Sequence, residues 1–117
     1  MTTTNFPKTD QNRIRQLAKR GAYDRETIYP IVDAAKVCHV AFVHDGQPVA
    51  IPTIHAREED TIYLHGAPAS RLLKIAAAGD PLCVTVTHLD GLVVARSLFN
   101  SSMNYRSAVL FGRGRLL

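Results

Sequence analysis

The chain has 117 residues, 46% of them hydrophobic and 21% charged, with a formal charge of +4 and a pI of about 9.4. That length suits one domain able to bury a core without disulfide or metal staples, and the apolar content excludes a wholly disordered chain. No apolar run approaches the roughly 20 residues of a membrane-spanning helix, and the first residues lack the order of a secretory signal, so a cytoplasmic protein is expected.

Residues 1–10 are polar and carry Pro7, which reads as a loose arm. Residues 10–20 suit a short helix, with Ile14 and Leu17 three apart and Gly21 as its stop. Residues 1–24 are therefore set apart as an arm and short helix, and residues 25–117 as the domain. Asp24 is a candidate cap for a helix to residue 35, with Ile28, Ile31, Val32 and Ala35 on its apolar face. Pro30 interrupts it: either the helix kinks there, or it starts nearby with Thr27 as its cap.

Strands dominate from there. Residues 37–44 (VCHVAFVH) are β-branched, Asp45-Gly46 matches a tight hairpin turn, and residues 47–55 return. Pro48 and Pro52 remove two donors from the return strand, which places it at an edge or opposite something other than a strand. Residues 57–60 form a turn, residues 61–65 a third strand, and residues 66–68 break the pattern. Ser70 caps a helix through residue 78, stopped by Gly79. Residues 82–88 are a fourth strand, Asp90-Gly91 a turn, and residues 92–97 a fifth strand. A polar loop at residues 100–104 leads to a sixth strand at 105–117, with a bulge or bend at Gly112 and Gly114. Cys38 and Cys83, each in an apolar strand, read as buried thiols. The sum is a mainly β chain: six short antiparallel strands in a small barrel, with an N-terminal helix and one inserted helix.

Three segments carry candidate chemistry. In residues 65–74 (HGAPASRLLK) a strand ends, a Gly/Pro turn follows, and a helix opens on Ser70-Arg71. Free N–H groups at a helix start attract anions. Ser70 adds a hydroxyl, Arg71 a fork that matches phosphate oxygens, and Lys74 lies one turn on along the same side. His65 stands at the strand end facing the same place. The plainer alternative is that Ser70 only caps while Arg71 and Lys74 are only solvated. In the second segment, Val49, Ala50, Ile51, Pro52 and Thr53, missing donors leave carbonyls and neighbouring amides for the edge of a flat heterocycle, unless the prolines only guard an edge. In the third, Asn104, Tyr105, Arg106 and Ser107 lead into an apolar strand. Arg106 suits a phosphate or a carboxylate across a dimer interface, and Tyr105 suits packing.

Other chemistries are poorly supported. The five histidines contain no HxH or HxxxH pair and neither cysteine sits in CxxC, so no metal site is expected. No GxSxG elbow is present, and Gly112-Arg113-Gly114-Arg115 is too short for a phosphate loop. The basic run Arg13, Arg15, Lys19 and Arg20 has no interleaved aromatics and no recognition motif, so nucleic acid is not expected as a partner, and with no apolar run long enough to span a bilayer neither is a membrane.

With these segments in view, the chain resembles the pyridoxamine 5′-phosphate oxidase-like FMN-binding split-barrel superfamily, and within it the flavin-nucleotide-binding branch that includes the 5-nitroimidazole-resistance proteins. The resemblance covers residues 28–117 and rests on VAIPTIH, YLHGAPASRLLK and NYRSAVLFGRGRL in that order and spacing. It implies a homodimer with FMN at the subunit interface, FAD and haem being the alternatives. Residues 50–53 would line the flavin ring. His65, Gly66, Ser70 and Arg71 would hold the phosphate end, with Lys74 beside them, and Asn104 to Ser107 would come from the last strand across the dimer. His65 would be the redox-site residue, donating a hydrogen bond or moving a proton. The implied activity is electron transfer from a reduced nicotinamide through FMN to a small aromatic or nitro-aromatic acceptor. The alternative is a flavin- or haem-binding module without turnover. The branch usually continues well past residue 117, and this chain stops on Leu116-Leu117 inside an expected strand. Either that strand is the terminus, or the chain is a piece of a longer protein.

Overall fold

A computed structural model describes residues 5–13, 21–66, 70–93 and 102–116. They form α1 (Arg25–Ala34), β1 (Val37–His44), β2 (Gln47–Glu58), β3 (Thr61–Leu64), α2 (Arg71–Ala77), β4 (Pro81–Val93) and β5 (Ser102–Arg113). The strands make one antiparallel sheet in the order β3-β2-β1-β4-β5, a half-barrel with β3 and β5 at its edges.

Helix α1 begins where Asp24 caps it. The carboxylate accepts from Thr27 N at 3.0 Å and from Thr27 Oγ1 at 2.7 Å. The helix runs on through Pro30. Pro30 and Glu26 are both exposed, so the carbonyl that loses its partner to the proline is left to water. At the other end, two imidazoles reach carbonyls of the last turns. His55 Nε2 donates to Val32 O and His88 Nε2 to Ile31 O, each at 2.9 Å. The expected loose arm is tied down in part: Phe6 N donates to Tyr23 O at 2.7 Å, and the Phe6 ring meets Tyr29 edge-on and lies under the Arg25 guanidinium. Of the helix expected at residues 10–20, residues 14–20 lie outside the described residues; residues 10–12 form a turn.

The β1–β2 hairpin turns at Asp45 and Gly46, with φ of 50° and 74°. Both are positive, the tight turn that Asp-Gly favours. Even-numbered residues of β1 face inward: Cys38, Val40 and Phe42 are buried with Leu82, Val84 and Val86 of β4, Ala108 of β5, Val32 of α1, and Leu72, Ile75 and Ala76 of α2. The other sheet face is apolar yet open. Val37, Val43, Ile54, Leu89, Tyr105, Val109 and Phe111 are all large and exposed on it.

Among the described residues five strands stand where six were expected. Residues 82–88 and the start of 92–97 are one continuous strand, β4, paired with β5 along its length; residues 94–97 lie outside the described residues. Asp90-Gly91 is a register shift within that pairing, not a turn. The same Asp-Gly signature serves a bulge as well as a hairpin, and here Asp90 is engaged by Arg106 of β5 at 3.0 Å. The irregularity expected at Gly112 and Gly114 therefore falls at Leu89/Gly91 instead. β5 starts at Ser102, inside the expected loop, and ends at Arg113. Gly114 has a different reason to be glycine: a Cβ there would come within 2.6 Å of Ala76 Cβ.

Candidate functional site

β2 is paired with β1 along residues 47–54 and with β3 only along residues 55–58. Polar backbone groups alternate sides along a strand. His65 N donates to Ile54 O at 3.3 Å on the β3 side, while His55 N donates to Lys36 O on the β1 side. By that alternation Pro48, Ala50 and Pro52 aim their backbone groups away from β1, at the stretch where β3 does not reach. The prolines thus spend their missing donors on an edge with no strand partner among the described residues, although β2 is internal in the sheet. Ala50 and Pro52 expose their side chains there. Ile51 does not share the edge: its side chain packs on the core, and its backbone faces β1.

Thr53 connects this edge to the next segment. Its hydroxyl donates to His65 O at 2.7 Å. His65 is exposed and Gly66 follows it; a Cβ built on Gly66 would lie 3.5 Å from Ser70 Oγ, so these two residues are side by side. Ser70 Oγ accepts from Leu73 N at 3.2 Å and caps α2. That uses a lone pair and leaves the hydroxyl proton to donate elsewhere. Leu72, Ile75 and Ala76 turn α2 onto the core, which puts Arg71 and Lys74 on its exposed face. Neither cation has an ion pair among the described residues. Residues 50, 52, 53, 65, 66, 70, 71 and 74 therefore form one region: an open strand edge followed by donors and positive charge at Gly66, Ser70, Arg71 and Lys74.

Tyr105, Arg106 and Ser107 lie on β5, at the opposite edge of the sheet, and border the same open cleft of about 1890 Å³ as His65 and Gly66. Tyr105 is exposed opposite Leu89. Arg106 is engaged in two hydrogen bonds with Asp90, at 3.0 and 3.1 Å, the carboxylate option of the two expected for it, but within one chain. The backbone of Asn104 pairs with Gly91.

Sequence patterns did not single out the link between Thr53 and His65, because a side-chain bond to a carbonyl twelve residues on leaves no periodic trace. Nor did they show His55 of β2 and His88 of β4 bonded to α1 carbonyls, or the ion pairs Arg57–Asp33 at 2.6 Å and Arg25–Asp60 at 2.9 Å that join α1 to the β2–β3 hairpin. Arg25 and then the Tyr29 hydroxyl hold the Asp60 carboxyl down to about 2. Burial pushes the Cys38 and Cys83 thiols up, so neither offers a ready thiolate. Among the described residues no three His, Cys, Asp or Glu side chains cluster as a metal site, and no helix is long and apolar enough to cross a membrane.

Residues 24–117 match the family model described as pyridoxamine 5′-phosphate oxidase. Among solved structures, the FAD and haem binding protein from Mycobacterium smegmatis is 47% identical over 77% of this chain and 44% of its own, with a TM-score of 0.72. The flavocytochrome Anf3 from Azotobacter vinelandii is 40% identical over 90% of this chain and 49% of its own, with a TM-score of 0.81. The chain thus spans less than half the length of either. No curated protein matches it.

Proposed function

The chain belongs to the pyridoxamine 5′-phosphate oxidase family, and from that premise we propose that it binds a flavin nucleotide at the β2 edge and at Gly66, Ser70 and Arg71. The observation that carries this reading is the 47% identity to a FAD and haem binding protein over 77% of this chain, and the 40% identity to a flavocytochrome over 90% of it. The geometry fits a flavin. A flat ring edge needs backbone donors and acceptors, which Ala50 N–H and the Ala50 and Pro52 carbonyls supply. A phosphate needs donors and positive charge, which Ser70, Arg71 and Lys74 supply. FMN is our first reading. FAD carries the same ring, ribityl chain and first phosphate, so these residues can hold that portion of either.

When bound, the flavin would supply the electron transfer. The chain's own part is to place it. Arg71 and Lys74 neutralise phosphate charge, Ser70 donates a hydroxyl, and the prolines keep the β2 edge free of a competing strand. His65, exposed at the cleft, would hold or move a proton at an imidazole nitrogen. The activity we propose is electron transfer from a reduced nicotinamide to a small aromatic or nitro-aromatic acceptor in a cytoplasmic homodimer. The exposed apolar sheet face supports the dimer, as does the placement of residues 104–107 on β5, at the sheet edge opposite to β3, which leads into His65 and Gly66.

Flavin-loaded protein that oxidises NADH or NADPH faster than the same concentration of free flavin, and faster again with a nitro-aromatic acceptor, supports the enzyme. Tight flavin without turnover leaves the second reading, a non-catalytic flavin- or haem-binding module. That reading is favoured by the similarity to the Mycobacterium smegmatis protein, which binds haem as well as FAD, and a Soret band on haem addition would mark it.

A further inference from the structure

We infer that Thr53 is a positioning residue for the phosphate donors at Gly66 and Ser70, acting through the His65–Gly66 peptide and not by touching the ligand; this rests on the flavin reading above. The β2–β3 ladder closes with His55 opposite Leu64. One residue on, His65 N still donates to Ile54 O at 3.3 Å, and the Thr53 hydroxyl takes the His65 carbonyl at 2.7 Å. A side chain thus carries the pairing past the end of the strand. Peptide planes are rigid, and in a trans peptide the N–H points opposite to the preceding C=O. No peptide among the described residues is cis. With the His65 carbonyl held toward β2, the Gly66 N–H is aimed away from β2. Gly66 lies beside Ser70, whose oxygen is taken by Leu73 N and whose proton remains to donate. The Thr53 bond therefore fixes the aim of a backbone donor next to a hydroxyl donor, a pairing that suits one phosphate oxygen.

Valine at position 53 keeps the shape and removes the donor; serine keeps the donor. The test compares the full 117-residue wild type with Thr53→Val and Thr53→Ser, reading equilibrium affinity for FMN and for riboflavin, which lacks the phosphate. The expected result is about tenfold weaker FMN binding by Thr53→Val, no more than about a twofold change for riboflavin, and FMN affinity restored by Thr53→Ser. Circular dichroism of each variant reports folding. FMN binding by Thr53→Val at the wild-type level overturns the inference. Equal losses for FMN and riboflavin also overturn it, since the residue would then act on the ring or the fold. Failure of the wild type to bind either compound rejects the flavin reading itself, and the inference with it.

Discussion

Ser70 has two tasks in this structure, and substitutions can separate them. Its Oγ accepts from Leu73 N at 3.2 Å, capping α2, and its proton is available to a phosphate. Ser70→Ala loses both. An N-cap contributes about 1 kcal/mol, which for a domain of this size lowers Tm by about 4 °C. A hydrogen bond to a charged group contributes about 1.5–3 kcal/mol, so FMN affinity falls by about 10- to 150-fold. Ser70→Asp divides the two. Aspartate caps as well as serine and suits the positive end of a helix, so the apo protein melts within about 2 °C of wild type. Its carboxylate faces the phosphate, however, and FMN binding drops by more than about 100-fold. Thermal denaturation of apo protein and quenching of flavin fluorescence read the two effects. A Ser70→Asp variant that binds FMN as wild type does would refute the placement of the phosphate at Ser70.

Arg71→Ala is expected to weaken FMN by about 10- to 100-fold and Lys74→Ala by less than about fivefold, with riboflavin affinity unchanged in calorimetry; the reverse order would move the anion along α2. Gly114→Ala places a methyl 2.6 Å from Ala76 Cβ and 2.8 Å from its Cα, so backbone must shift. The expected cost is about 1–3 kcal/mol in urea denaturation, and an unchanged midpoint would contradict the close approach. Asp60 is held down to about 2, first by Arg25 and then by Tyr29. A carboxyl lowered by folding stabilises above the usual carboxylate range, near about 4, and loses that contribution as pH falls toward about 2. Asp60→Asn should therefore show a smaller drop in urea midpoint between neutral pH and pH of about 3 than wild type does; an equal drop would count against the Arg25–Asp60 linkage.

Local chemistry made much of this fold legible. Asp24 and Ser70 cap the helices that follow them, and Asp45-Gly46 turns the first hairpin, because caps and tight turns depend on a few adjacent residues. Gly79 ends α2 at φ 76° for the same reason. Asp90-Gly91 misled because a bulge and a turn ask for the same residues, and only the partner strand, with Arg106 opposite, distinguishes them. Pro48 and Pro52 announced an unpaired side correctly in kind: β2 is internal, but its outer stretch runs beyond the short β3. The Thr53–His65 bond, the imidazoles on α1 and the exposed apolar face all depend on contacts across the sheet, which no window of neighbouring residues contains.

The most direct test is an equilibrium titration of the purified protein, stripped of any bound chromophore, with FMN and FAD. The account predicts saturable quenching and a shifted flavin spectrum at one site per chain, with dissociation constants at or below about 10 μM. Free-flavin spectra throughout, for both nucleotides and with the protein shown to be folded, would contradict it.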